Sequence, residues 1–203
     1  MKSEKAVSTE RFTEDQGALL IRLARQTLMT QLNLTVNGQE RAALEAALDA
    51  DDVFKKVRGT FVTLTKKGEL RGCIGHLTGI AQVRQSVRQN AVSAGFHDPR
   101  FPPLTTAELA EVAIEISILT EPQPLDYADA EDLIQRLRPR VDGVIISRQG
   151  ASATFLPQVW RQLPKADAFL THLCLKAGLP ANSWREGDVE VSTYQVQSFE
   201  EHP

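Results

Sequence analysis

Thr60-Phe61-Val62-Thr63-Leu64-Thr65 and Glu69-Leu70-Arg71-Gly72-Cys73-Ile74-Gly75-His76 flank a turn-like Lys66-Lys67-Gly68. Two β-branched or apolar runs separated by a short turn that ends in glycine read as a hairpin. On the second strand, a period of two puts Leu70, Gly72 and Ile74 on one face and Arg71, Cys73 and Gly75 on the other. Arg71 and Cys73 are then same-face neighbours, and a fixed positive charge beside a thiol favours the thiolate. Glycines inside a strand give up packing and mark a bulge or a close backbone approach. Cys73 is therefore a candidate reactive cysteine, with Arg71 on its face and the neighbouring Gly72 permitting a close approach as substrate-binding candidates.

Working outward, Thr13-Glu14-Asp15-Gln16 fits a capping box, followed by Leu20, Leu23, Ala24 and Leu28 at helical spacing. Residues 40–48 read as a second helix. Ile80, Val83, Val87, Ala91 and Ala94 form the apolar stripe of a third helix ending at Phe96. Residues 97–104 hold three prolines and form a stiff extended loop, after which Thr105 to Glu108 offers another capping box. Val112, Ile114, Ile116 and Ile118 alternate along a half-buried strand. Residues 129–137 read as a helix, and a second hairpin turns at Gln149-Gly150. Phe169, Leu170, Leu173 and Cys174 form a helical stripe closed by Gly178, and residues 188–199 read as one final strand. Helices and strands mix without a βαβ rhythm. The expected fold class is α+β, a mainly antiparallel sheet with flanking helices, compatible with two lobes around a cleft. Residues 1–12 are expected to be a flexible tail and 13–203 a single domain.

Composition narrows the function classes. The chain of 203 residues is 42% hydrophobic and 24% charged, an ordinary globular balance. A net charge of −3 supplies no global attraction for nucleic acid or an acidic membrane. Two cysteines, Cys73 and Cys174, exclude a disulfide scaffold and point to reduced thiols in a cytoplasmic protein. The polar N-terminus lacks the apolar core of a signal peptide, and no run is long enough for a membrane helix.

Asp98 and Arg100 sit in the proline-stiffened loop, where such a pair either fixes the turn or presents charge to a cleft. Glu115 lies on the polar face of its strand, open either to solvent or to a site. These give the candidate catalytic residues Cys73, Asp98 and Glu115 and the candidate substrate-binding residues Arg71, Gly72 and Arg100. Cys73 and His76 alone fall short of a zinc site, so no metal is assigned. There is no G-x-G-x-x-G or Walker A pattern, so the cofactor is unknown.

Leu70-Arg71-Gly72-Cys73-Ile74-Gly75 resembles the signature hexapeptide of the AmmeMemoRadiSam system protein A family, also called the AMMECR domain. Asp98-Pro99-Arg100-Phe101-Pro102-Pro103-Leu104, Glu115-Ile116-Ser117-Ile118-Leu119 and Ala153-Thr154-Phe155-Leu156-Pro157 follow in the family's order. The resemblance implies an AMMECR-type domain over roughly residues 13 to 200 and a cleft bordered by residues 71–73, 98 and 100–103. It also implies a pathway shared with a Memo-like protein and a radical S-adenosylmethionine (SAM) enzyme.

Three functions remain. The first is an enzyme or enzyme component, with a Cys73 thiol and the forks of Arg71 and Arg100 gripping a small anionic substrate. The second is a non-enzymatic partner or scaffold module working with the two implied partners, its glycine-flanked hexapeptide a docking surface or the acceptor of a covalent group. The third is nucleic-acid binding along a groove lined by Arg84, Arg88 and Arg100, which the acidic balance disfavours.

Overall fold

The computed structural model describes residues 11–201. Its helices are α1 (Glu14–Gln31), α2 (Gly38–Ala50), α3 (Val83–Phe96), α4 (Thr106–Leu109), α5 (Ala130–Arg136) and α6 (Ala166–Lys176). Its strands are β1 (Thr60–Lys66), β2 (Glu69–His76), β3 (Val112–Leu119), β4 (Gln123–Pro124), β5 (Gly143–Arg148), β6 (Ala151–Phe155), β7 (Glu190–Tyr194) and β8 (Val196–Glu200). The fold is α+β, built on two four-stranded sheets rather than one. The chain divides into two compact units, one formed by residues up to 119 together with those from 197 onward, the other by residues 120–196.

In the first unit the sheet order is β2-β1-β3-β8, and β1 pairs antiparallel with both β2 and β3. Period-two alternation turns Val62, Leu64, Ile114 and Ile116 to one face, all buried. There they meet Leu20, Leu23 and Leu28 of α1 and Val87, Ala91 and Ala94 of α3 in one apolar cluster. Burying one such side chain contributes about 1.5–3 kcal/mol, so this shared face supplies the main drive for packing. Thr13 and Gln16 close the expected capping box at the start of α1. Phe12, placed in a flexible tail by its sequence context, is buried; its N–H and C=O pair with the Gln197 side chain. The rest of that tail, residues 1–10, lies outside the described residues. Ile80 is not part of the α3 stripe: the helix begins at Val83, and Ile80 is 62% exposed.

In the second unit the order is β4-β7-β5-β6. Trp160 stacks on Phe169 at 3.7 Å between ring centroids, and α6 buries Phe169, Leu170, Leu173 and Cys174. The expected final strand is two strands in two different sheets. It breaks at Gln195, whose N–H donates to Thr120 Oγ1 and whose carbonyl accepts from Thr120 N–H.

Candidate functional site

The hairpin forms as its sequence suggests, but with one irregularity that rebuilds the site. Lys67 and Gly68 both adopt positive φ, 54° and 81°, as a tight two-residue hairpin turn needs. From that turn, unbroken pairing would set Thr63 opposite Gly72. Instead Thr65 faces Leu70 while Leu64 faces Gly72, so Arg71 is an extra residue bulged out of the ladder. The slip reverses everything before it. Leu70 shares a face with Thr63, Thr65 and Cys73 and is 44% exposed, while Gly72 and Ile74 face inward. The expected grouping of Leu70 with Gly72 and Ile74 is therefore corrected.

Arg71 is likewise not a surface partner of the thiol. It is 7% exposed; Nε and Nη2 fork onto the two oxygens of Glu108 at 3.1 Å each, and Nη2 also donates to the Pro102 carbonyl at 2.8 Å. Gly72 leaves no room for a substrate. A Cβ there would stand 2.2 Å from the Ala94 carbonyl oxygen, so the glycine admits the end of α3.

Cys73 is half-buried, on the outer face of an edge strand. Its main chain points away from β1 and is captured by the proline loop. Asp98 Oδ2 accepts the Cys73 N–H at 2.9 Å, and Arg100 Nη2 donates to the Cys73 carbonyl at 3.2 Å. Covering an edge in this way also removes a template for unwanted strand pairing. The Cys73–Thr63 pair is thus of the non-hydrogen-bonded kind, in which side chains stand closest. Thr63 Oγ1 donates to Cys73 Sγ at 3.4 Å.

Asp98 is 3% exposed and accepts three bonds from Arg100: its backbone N–H at 3.1 Å, Nε at 2.9 Å and Nη2 at 2.6 Å. These bonds hold the Asp98 carboxyl well below the usual carboxylate range, against the opposing effect of burial, and they raise Arg100 in turn. The Arg100 side chain remains 53% exposed. Glu108 is held down at about 2, first by the Arg71 hydrogen bonds, with Thr105 adding further bonds against burial.

Glu115 lies in register with Thr63, hence in one cross-strand row with Cys73 two strands away. Its Oε1 accepts from Ser117 at 3.1 Å and Ser198 at 3.5 Å, so the carboxylate is drawn toward β8. Cys73, Asp98 and Arg100 are therefore brought together, Glu115 shares their face at a distance, and Arg71 and Gly72 serve packing. Arg71 and Arg100 do converge, but on the Phe101 ring, 5.8 and 5.5 Å from its centroid. The sequence reading missed Thr63 and Glu108. Thr63 is concealed by the register slip; Glu108 was legible only as the closing residue of the Thr105 capping box, which the structure retains.

Elsewhere, Arg84 pairs with Asp49 and Arg88 with Glu45, so each arginine of the considered nucleic-acid groove carries a carboxylate partner. Burial pushes the Cys174 thiol up. Among the described residues, no helix is long and apolar enough to cross a membrane, and no group of three or more His, Cys, Asp or Glu side chains is placed to hold a metal ion. In the second unit a surface cavity of about 540 Å³ opens beside the β5–β6 turn, where Arg148 pairs with Asp188 at 2.9 Å.

The architecture is that of a two-unit α+β protein whose edge-strand cysteine is pinned by an aspartate–arginine clamp. The AMMECR1 family model matches residues 21–199, and the chain belongs to that family. A protein of Methanothermobacter thermautotrophicus is 37% identical over 190 residues, covering 93% of this chain and 96% of its own. One of Methanosarcina acetivorans is 37% identical over 191 residues, covering 93% of each chain. The crystal structure of an uncharacterized protein from Pyrococcus horikoshii superimposes with a TM-score of 0.74 at 28% identity, covering 94% of both chains.

Proposed function

We propose that the chain is an enzyme or enzyme component acting on a small anionic substrate, with Cys73 as its reactive thiol. In this reading Arg100, half-exposed beside Cys73, draws the anionic group, and Asp98 holds that guanidinium in place. Glu115, on the same sheet face, is the acid/base candidate for a substrate that spans the row. Arg71 leaves the substrate-binding set and supports the loop from beneath. The reading is carried by one observation: a partly buried cysteine fixed on two sides, its main chain by Asp98 and Arg100 and its Sγ by Thr63. Fixing the reacting group in advance is how a site lowers the cost of reaching a productive geometry.

The exposed Leu70 on the same face favours a second reading, docking to a Memo-like protein and a radical SAM enzyme. One experiment separates the two. Metabolite extracts are incubated with this chain, with and without the two partner proteins, using wild type and Cys73→Ser. A small acid or phosphate ester consumed by wild type and spared by Cys73→Ser supports the enzymatic reading. Consumption that needs the chain but is indifferent to Cys73→Ser supports docking and overturns the thiol role.

A further inference from the structure

Arg71 carries five guanidinium donors into a largely buried place. The β2 bulge projects it away from the ladder, and among the described residues its hydrogen bonds and ring contact lie on the segment that follows α3. It reaches Pro102 through the main-chain carbonyl, Phe101 through the ring face, and Glu108 through the fork. Glu108 is itself immobilised, since its Oε2 accepts from Thr105 N–H at 3.2 Å and Thr105 Oγ1 at 3.1 Å. Nη1 is buried and has no partner among the described residues. Such a donor costs stability, so the other contacts hold Arg71 in place despite it.

The opposite end of the loop grips Cys73. Asp98 takes its N–H, and Arg100, 5.5 Å from the Phe101 ring centroid, donates to its carbonyl. Three prolines limit the shapes available to the loop, but stiffness does not anchor it. The main-chain anchor at its far end is Leu104 N–H to the Gly95 carbonyl at 2.7 Å, and between that point and Arg100 the loop meets Arg71 at Phe101 and Pro102.

We propose that Arg71 is a positioning residue for Cys73: through Pro102 and Phe101 it keeps the 98–104 loop seated, and so keeps the Asp98–Arg100 clamp closed on the cysteine's main chain. This rests on the reading of Cys73 as the functional thiol, but its test uses no chemistry of the thiol. A failed clamp test and a failed metabolite test are therefore distinguishable.

The test is residue-resolved amide exchange by NMR on the full chain, in wild type, Arg71→Lys, Arg71→Met and Phe101→Leu. Lysine keeps a cation for Glu108 but cannot fork to it and reach Pro102 together. The two amides that donate to Asp98, Cys73 and Arg100, should exchange roughly tenfold faster, the factor that one lost hydrogen bond supports. Ile74 and Ile116, inside the sheet, should keep their wild-type rates. Ile116→Val, a core change away from the loop, serves as the control for general loosening and should leave the ratio of Cys73 to Ile74 exchange unchanged. Should Arg71→Met fail to fold, Arg71→Lys and Phe101→Leu decide alone. Wild-type exchange at Cys73 and Arg100 in those variants overturns the proposal, as does acceleration of all sheet amides together.

Discussion

Removing Asp98 should destabilise the first unit by an amount that its contacts define. The carboxylate is buried and accepts one bond from Cys73 N–H and three from Arg100. In Asp98→Ala the edge N–H of Cys73 loses its acceptor, which costs about 1–3 kcal/mol for a group shielded from water. The Arg100 guanidinium is half-exposed and regains hydration, so the ion pair adds only about 1 kcal/mol. The expected loss is about 2–4 kcal/mol for Asp98→Ala and about 1–2 kcal/mol for Asp98→Asn, which keeps one acceptor. With a urea slope near ~2 kcal/mol/M, the alanine variant's midpoint falls by about 1–2 M. Trp160 and Trp184 both lie in the second unit, so the readout is taken within the first. Pulsed hydrogen exchange across the urea titration, read on the peptide 112–119, follows that unit directly. The same contacts set a pH dependence. Folding holds Asp98 below its unfolded value of ~3.9, so its contribution is complete above about pH 5 and declines as pH falls toward the folded value. The gap between wild type and Asp98→Asn should therefore close on acidification. An alanine midpoint equal to that of wild type, or a gap that widens in acid, would refute this account of the clamp.

Gly72→Ala should destabilise the first unit by about 1–3 kcal/mol in the same urea assay, because its Cβ would press on the Ala94 carbonyl. Lys67→Gly should raise stability slightly, by up to ~1 kcal/mol, since Lys67 stands at φ 54°. Glu108→Gln should lower stability near neutral pH. It should also flatten the part of the acid titration between the unfolded value of ~4.3 and about 2, because that carboxylate contributes only while ionised.

Alternation and capping made most of the elements legible. Val112, Ile114, Ile116 and Ile118 announce β3, and Thr13 with Gln16 and Thr105 with Glu108 announce two helix starts, because each is a local pattern with a local cause. The misreadings occurred where distant contacts override the pattern. Residues 188–199 read as one β-rich run, although their apolar positions change phase from Val189 and Val191 to Tyr194 and Val196; the chain breaks there, with Gln195 bonded to Thr120, and the two halves join different sheets. Cys73, Asp98 and Arg100 were legible as candidates because unusual residues stand in stiff or glycine-flanked segments. The role of Arg71 was not, because a one-residue bulge exchanges faces and the ion pair with Glu108 spans 37 positions. Gly72 carried the hint of that bulge but could not say which neighbour moved.

The most direct test of the central claim is the rate at which iodoacetamide labels each thiol in the native protein at neutral pH, resolved by mass spectrometry. Cys73 is only partly buried, beside Arg100, whereas Cys174 is buried in α6 and its thiol is raised by that burial. Cys73 should be labelled first, with Cys174 protected until denaturant is added. Labelling of Cys174 before Cys73, or of neither before unfolding, would contradict the assignment of Cys73 as the working thiol.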